Sequence, residues 1–182
     1  NKMPLHLIFG PMFSGKTTKL VDIYSNLTCS GVQPHKILVI NHIIDTRTKA
    51  GVISTHDSTS NVPCIHHDKL IELLNGDSLT ECKYILINEA QFFCDLVEFV
   101  NSINLLEKNV YVSGLNGDYK QENFGNIKDL LPIADNVTFL KGKCSICKGS
   151  SVFTKRIIKA DTVTLVGSSE SYQPRCRKCL DV

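Results

Sequence analysis

Short apolar runs alternate with longer helical repeats along this chain. An apolar run that ends in a polar loop is typical of a buried strand, and apolar residues at every third or fourth position are typical of a helix. The runs predict core strands over residues 5–9, 36–40, 84–87, 109–113 and 137–140. The helical spacing predicts helices over residues 16–27, 67–74 and 92–106. Because strand, helix and strand in succession form a right-handed crossover, we expect an α/β fold with a parallel sheet flanked by helices.

Residues 41–63 interrupt this alternation. They are polar and show no clear period. A segment of this length without regular structure is uncommon in a compact domain unless it is functional or disordered. We therefore predict a long, mobile loop.

Two C-x-x-C pairs lie near the end of the chain, Cys144 with Cys147 and Cys176 with Cys179. Four thiolates complete the tetrahedral coordination of zinc and leave no open position, so the predicted site is structural. Two disulfides are the alternative, but the other four cysteines are scattered singly, as in a reducing compartment. We predict an α/β domain over residues 1–140 and a small zinc-binding domain over residues 141–182.

Basic residues are concentrated in this second domain. They could contact nucleic acid, or they could offset the net negative charge of zinc with four thiolates. The chain as a whole has 182 residues, a formal net charge of +2 and 42% hydrophobic residues, so bulk charge does not decide between these interpretations. The region 141–159 carries six cations and no acidic residue: Lys141, Lys143, Lys148, Lys155, Arg156 and Lys159.

Residues 10–17, with the sequence GPMFSGKT, fit the phosphate-loop pattern G-x-x-x-x-G-K-[ST]. The pattern follows a predicted strand and opens a predicted helix, which is the context that it requires. Gly10 and Gly15 let backbone amides converge on one point, and the helix start adds partial positive charge there. Lys16 could reach the outer phosphates, and the Thr17 hydroxyl could ligate magnesium.

Glu89 follows the predicted strand 84–87 and lies where ligands bind to open sheets. It could organise magnesium or act as a base, or it could be an ordinary carboxylate at the start of the next helix. Leu115, Tyr119 and Phe124 follow a later strand, and they could form core or the wall of a pocket.

Four ordered motifs resemble those of type II thymidine kinases, the cellular and poxvirus-like group. They are GPMFSGKT at residues 10–17, NEAQFF at 88–93, LNG at 115–117 and FTKR at 153–156 between the cysteine pairs. The resemblance covers residues 5–179. It implies a RecA-like P-loop sheet followed by a zinc ribbon that carries a lasso loop, which would account for the 28 residues between the pairs.

The resemblance implies transfer of the ATP γ-phosphate to the 5′-hydroxyl of thymidine or deoxyuridine, with Glu89 as the general base. Its implied metals are structural zinc on Cys144, Cys147, Cys176 and Cys179 and magnesium on Thr17. The implied ATP and phosphate contacts are Gly10, Pro11, Met12, Phe13, Ser14, Gly15, Lys16, Thr17, Asp45, Arg47, Asn88 and Gln91. The implied nucleoside contacts are Met12, Phe92, Leu115, Tyr119, Phe124, Thr154, Val163, Leu165, Gly167 and Tyr172.

Two residues depart from the family pattern. Asn88 stands where the family commonly has Asp, which implies looser magnesium binding, and we expect Asn88→Asp to lower the magnesium requirement. Tyr119 stands where Phe is usual and adds a hydroxyl that needs a partner.

The resemblance also implies a homotetramer inhibited by its end product dTTP. Because we find neither an apolar run long enough for a membrane nor a secretory signal, we expect a cytoplasmic protein without a membrane partner. The alternative function is a nucleic-acid-dependent P-loop ATPase with a basic zinc ribbon, although nucleic acid is the less favoured partner. A further alternative is a zinc-ribbon interaction protein with a decayed nucleotide site, against which Lys16, Thr17 and Glu89 argue.

Overall fold

The computed structural model describes residues 4–46, 51–55, 60–103, 106–159, 167 and 169–181. The strands of the first 140 residues are β1 (Leu5–Gly10), β2 (Ile37–His42), β3 (Val52–Ser54), β4 (Asn61–Pro63), β5 (Ile65–His67), β6 (Tyr84–Ile87), β7 (Asn109–Leu115) and β8 (Asn136–Phe139). Six of them form one sheet in the order β5-β2-β6-β7-β1-β8, and each neighbouring pair is parallel. The predicted α/β fold is confirmed.

The helices are α1 (Lys16–Cys29), α2 (Asp77–Glu81) and α3 (Leu96–Ile103). Successive side chains of a strand point to opposite faces of a sheet, so the parallel strands build two cores. On one face, Leu7 and Ile40 belong to the cluster that contains Phe99 of α3. On the other face, Ile8 belongs to the cluster that contains Leu20 of α1. The sheet is therefore covered by helices on both sides.

The carboxyl ends of β1, β6 and β7 meet at one edge of the sheet. Gly10 at the end of β1 is in register with Leu115 at the end of β7, and Ile87 at the end of β6 is in register with Val112. Ligands of open parallel sheets bind outside such ends. This register brings the phosphate-loop sequence, Glu89 and the segment after Leu115 to the same side of the molecule.

The prediction of one loop over residues 41–63 is wrong for the described part of that region. β3 and β4 form an antiparallel hairpin there, which places Ile53 and Val62 in the same cluster as Leu20 of α1. Each strand has three residues and buries one side chain, so neither produces a recognisable strand pattern, yet pairing brings Ile53 opposite Val62.

The prediction of a core strand over residues 137–140 is also wrong in its burial. β8 pairs with β1 and ends the sheet order, and the exposed fractions of Val137 and Phe139 are 51% and 46%. Apolar residues in a short run indicate a strand but do not reveal whether a neighbour covers it.

Two predicted helices are shorter than expected. The region predicted as helix 67–74 contains the end of β5 and a 3₁₀ turn, Ile71–Leu73. The region predicted as helix 92–106 begins with the last residue of a 3₁₀ turn, Ala90–Phe92, and its described α-helix is α3. Another 3₁₀ helix spans Ile127–Ile133 and contains Pro132. This segment was not predicted to be helical.

The described residues after residue 141 form two small antiparallel ribbons that do not belong to the central sheet. The strands are β9 (Gly142–Lys143), β10 (Ser150–Ser151), β11 (Phe153–Arg156) and β12 (Tyr172–Arg175), with β9 paired to β10 and β11 to β12. Two β-like runs lie between the cysteine pairs in the sequence: the run 152–158 contains β11, and the run 162–166 lies outside the described residues. The domain boundary at residue 140 stays a prediction.

Within the described part of the chain, none of the helices combines the length and the apolar character that crossing a bilayer requires.

Candidate active site

The phosphate-loop sequence forms a tight connection between β1 and α1. Gly15 precedes the helix with a φ of +84°, a left-handed conformation that favours glycine. A Cβ on Gly10 would collide with the Ser14 side chain and would lie 2.7 Å from the Leu140 carbonyl oxygen. Both glycines are therefore required by the local backbone, as the motif predicts.

The start of α1 carries positive charge at the mouth of this loop. The first turn of α1 contains no acidic side chain, so the helix dipole is not offset there. The Lys16 ammonium donates a 2.8 Å hydrogen bond from Nζ to the Pro11 carbonyl oxygen, which folds the side chain back over the loop. A phosphate group would meet backbone amides, a helix start and a lysine at one place, so the geometry suits a polyphosphate.

Glu89 lies just beyond the end of β6 and has an unusual backbone conformation. Its φ and ψ are 52° and 41°, in the left-handed region that non-glycine residues seldom adopt, and such strain is frequent at functional sites. The Gln91 amide donates a 2.6 Å hydrogen bond from Nε2 to Oε2 of Glu89. Gln91 stays a predicted phosphate contact, and its buried side chain contacts this carboxylate and the Leu115 backbone.

Thr17 and Asn88 place two oxygen atoms side by side at the base of the loop. The Thr17 hydroxyl donates a hydrogen bond of 3.4 Å to Oδ1 of Asn88, and Asn88 is 2% exposed. Hydroxyl and amide oxygens suit a hard cation such as magnesium, directly or through its water molecules. The residues present therefore fit a magnesium ion bound with a nucleotide.

Aromatic side chains among the expected nucleoside contacts form two separate sets of contacts. The rings of Phe92 and Phe124 meet edge to face, with 5.3 Å between centroids. The Arg156 guanidinium lies 3.9 Å from the centroid of Tyr119 and donates a 2.7 Å hydrogen bond to the Tyr172 hydroxyl. A flat, amphipathic ligand such as a nucleobase fits walls of this kind.

The C-terminal ribbons contact the phosphate loop directly. The Met12 amide donates a 2.9 Å hydrogen bond to Oγ1 of Thr154, and the Asn116 side chain donates one of 3.2 Å to the Val152 carbonyl. A cleft of about 80 Å³ lies between residues 116–121, which follow β7, and residues 152–154. It is lined by Asn116, Gly117, Asp118, Gln121, Val152, Phe153 and Thr154.

The four clustered cysteines have the geometry of a metal centre. Their sulfur atoms all lie within 4.8 Å of one another, and the Sγ atoms of Cys147 and Cys176 are 3.6 Å apart. Tetrahedral zinc with Zn–S bonds of about 2.3 Å requires sulfur atoms roughly 3.8 Å apart. Although burial opposes ionisation, backbone hydrogen bonds from Cys147, Cys176 and Ile146 lower the pKa of Cys144 to about 6. The residues present fit structural zinc.

Three predicted contact residues, Arg47, Val163 and Leu165, lie outside the described residues. Gly167 is described, and a Cβ there would lie 2.7 Å from the Ser171 side chain. Asp45 is buried, and the Asn41 amide donates a hydrogen bond to it.

Sequence reasoning missed three polar residues at this site. They are Asn41 and His42 at the end of β2 and the buried Arg156 on β11. The His42 ring lies 4.6 Å from that of Phe93 and 5.5 Å from that of Phe92, measured between centroids. Asn41 and His42 follow the same strand-end rule that identified Glu89, and that rule could have found them.

Comparison with known proteins gives one consistent result. A family model described as thymidine kinase matches residues 3–180. The thymidine kinase of Yaba monkey tumor virus (strain VR587) is 38% identical over 96% of this chain and 93% of its own. The thymidine kinase of fowlpox virus (strain NVSL) is 37% identical over 96% of this chain and 95% of its own. Thymidine kinase a of Arabidopsis thaliana is 37% identical over 96% of this chain and 73% of its own. This chain belongs to the thymidine kinase family.

Proposed function

We propose that the protein transfers the γ-phosphoryl group of ATP to the 5′-hydroxyl of thymidine. The observation that supports the proposal is the register of β1, β6 and β7, which brings the glycine loop and Glu89 to the same edge of the sheet. A triphosphate on that loop would face the carboxylate. Catalysis of phosphoryl transfer consists mainly of such positioning and of charge stabilisation.

In the proposed reaction, the 5′-oxygen attacks the γ-phosphorus while Glu89 accepts the hydroxyl proton. The bond between the γ-phosphorus and the β–γ bridging oxygen breaks, and ADP leaves with that oxygen. Lys16 and the loop amides hold the phosphates as charge shifts toward the leaving group. Thr17 and Asn88 would help to hold magnesium, which would neutralise part of that charge when bound.

The proposed nucleoside site is formed by Phe92, Leu115, Tyr119, Phe124 and Tyr172. The other proposed contacts are Met12, Thr154, Val163, Leu165 and Gly167. If backbone groups of the lasso loop form hydrogen bonds with the edge of the base, bound cytosine leaves buried donors and acceptors unpaired. Each unpaired group makes the free energy of binding less favourable by about 1–3 kcal/mol. We therefore propose deoxyuridine as a second substrate and expect deoxycytidine to be rejected.

We also propose a homotetramer that is inhibited by dTTP and works in the cytoplasm. The resemblance of the four motifs to type II thymidine kinases supports these proposals. A nucleic-acid-dependent ATPase is not favoured, because the relatives named above are thymidine kinases.

A substrate competition assay tests the proposed function. Purified protein receives ATP, magnesium and equal concentrations of thymidine and deoxycytidine, and the two monophosphates are quantified by chromatography. We expect thymidine monophosphate to exceed deoxycytidine monophosphate by at least tenfold, the scale of one unpaired buried group. Equal formation of the two products contradicts the proposed selectivity, and formation of neither contradicts the proposed reaction.

A further inference from the structure

A chain of buried side-chain hydrogen bonds leads from Asp45 to the phosphate loop. The Asn41 amide donates from Nδ2 to Oδ2 of Asp45 at 3.2 Å, and the Asn88 amide donates from Nδ2 to Oδ1 of Asn41 at 3.0 Å. Thr17 then donates from its hydroxyl to Oδ1 of Asn88 at 3.4 Å. The exposed fractions of Asp45, Asn41 and Asn88 are 6%, 0% and 2%. The chain therefore runs through an interior where unmatched polar groups are costly.

The chemistry of Asp45 fixes the direction of this chain. An ionised carboxylate only accepts hydrogen bonds, so the Asn41 amide must turn its NH₂ group toward Asp45. The ring nitrogen Nε2 of His66 lies 3.3 Å from the same NH₂ group and can accept from it as well. Oδ1 of Asn41 is then left to face Asn88. Asn88 must present its own NH₂ group there, and this turns its Oδ1 toward Thr17.

We infer that Asp45 is a positioning residue for the magnesium end of the nucleotide site and acts through Asn41 on Asn88. This inference rests on the proposed function only in that it needs a nucleotide with magnesium at the loop. Asp45 is among the residues expected to contact the phosphates, and its carboxylate accepts a hydrogen bond from Asn41. Its negative charge polarises two amides in series, so the oxygen beside Thr17 becomes a better partner for a cation.

The network reverses the expectation that the sequence analysis drew for Asn88→Asp. An aspartate at position 88 has no hydrogen to donate to Oδ1 of Asn41. The Asn41 amide cannot turn over without losing its bond to Asp45. In the variant, the aspartate at position 88 and Oδ1 of Asn41 would face each other as two buried acceptors with no hydrogen between them. The substitution would also add a second carboxylate close to Asp45. Asn41→Lys would supply a cationic donor at position 41, which would pair with both carboxylates.

The test measures how much magnesium strengthens the binding of a non-hydrolysable ATP analogue. Calorimetry without thymidine measures the affinity of the protein for the ATP analogue, once in the presence of magnesium and once in the presence of a chelator that removes it. The ratio of these two affinities is called the magnesium gain. We expect Asn41→Leu to lower this gain about tenfold and to change the chelator affinity by less than twofold. Asp45→Asn keeps an acceptor oxygen and should retain more of the gain than Asp45→Leu.

Aspartate at position 88 gives a second, independent readout. We expect Asn88→Asp alone to leave the magnesium gain unchanged or lower, and Asn41→Lys with Asn88→Asp to raise it above that of the single variant. An equal loss of affinity with and without magnesium in Asn41→Leu overturns the inference. So does a higher gain in Asn88→Asp alone, or no gain in the natural protein.

If the double variant fails to fold in thermal melts, the Asn41→Leu, Asp45→Asn and Asp45→Leu results still decide. Since no nucleoside is present, failure of the proposed phosphorylation does not alter these binding measurements.

Discussion

The Gln91 side chain joins Glu89 to the neighbouring strand β7. Its Oε1 accepts a 3.1 Å hydrogen bond from the Leu115 amide, which can only donate, so Nε2 must face Glu89 and donates to it at 2.6 Å. The side chain is 4% exposed. The carboxylate of Glu89, the proposed catalytic base, therefore accepts a hydrogen bond from the buried Gln91 amide, and the backbone N–H of Leu115 fixes the orientation of that amide.

Gln91→Glu should move the acid limb of the kcat/KM profile to higher pH. The substituted side chain can still accept from Leu115, but a carboxylate next to Glu89 disfavours the state in which both are ionised. We expect the limb to move by roughly one pH unit, since like-charged neighbours at this distance have effects of that size or larger. Rates with thymidine measured between pH 5 and 9 test this.

Gln91→Met is the matched control for that shift. It removes both hydrogen bonds without adding charge, so we expect a lower kcat with a much smaller movement of the limb. Identical profiles for the two variants would contradict the role given to Gln91.

Gly125→Ala should destabilise the protein through Gln91. Gly125 has a φ of +63°, and an added Cβ would collide with the Gln91 carbonyl oxygen. We expect unfolding in urea to show a loss of about 1–3 kcal/mol beyond that of Gly31→Ala, from backbone strain and displacement of packed atoms. Gly31 has a φ of +96° with no atom within 4 Å of a built Cβ, so it reports strain alone. Equal losses would show that the contact with Gln91 has no energetic weight.

The sequence predicted the local geometry of the glycine loop and of the cysteine cluster better than the packing around them. The phosphate loop and the cysteine pairs follow local spacing rules, which survive any tertiary context. The hairpin β3–β4, the exposure of β8 and the bond from Gln91 to Glu89 depend on which strands become neighbours. Parallel pairing joins segments that are distant in the chain, so a local pattern contains little information about it.

His42 should make the stability of the protein depend on pH. Burial lowers its pKa below the usual 6.5, while the charges of Asp68, Asp95 and Glu89 act in the opposite direction. Between the lowered pKa and 6.5 the unfolded chain binds more protons, so stability rises with pH through this window and is lost as pH falls. We expect His42→Asn to show a smaller drop in Tm between pH 7 and pH 5 than the natural protein. His35→Asn, at an exposed position, is the control and should keep the full drop.

Loss of zinc should impair nucleoside use through the contact between Met12 and Thr154. Cys147→Ser removes one of the four sulfur ligands that would hold the ribbons in place. We expect a fall in kcat/KM for thymidine of about 10- to 100-fold, the scale of a displaced positioning group. Zinc content measured by mass spectrometry should fall in parallel. Cys29→Ser, at an exposed lone cysteine, should alter neither value, and an unchanged kcat/KM in zinc-free Cys147→Ser would refute the coupling.

The central claim is that a nucleoside hydroxyl activated by Glu89 receives the terminal phosphate of ATP. Its most direct test is the rate of ADP release from ATP and magnesium, with and without thymidine, in the natural protein and in Glu89→Gln. We expect thymidine to stimulate ADP release in the natural protein, and we expect Glu89→Gln to lower the stimulated rate by about 10²- to 10⁴-fold, the usual contribution of a general base. ATP affinity should remain unchanged in the variant. ADP release that does not respond to thymidine, or a variant as fast as the natural protein, would contradict this claim.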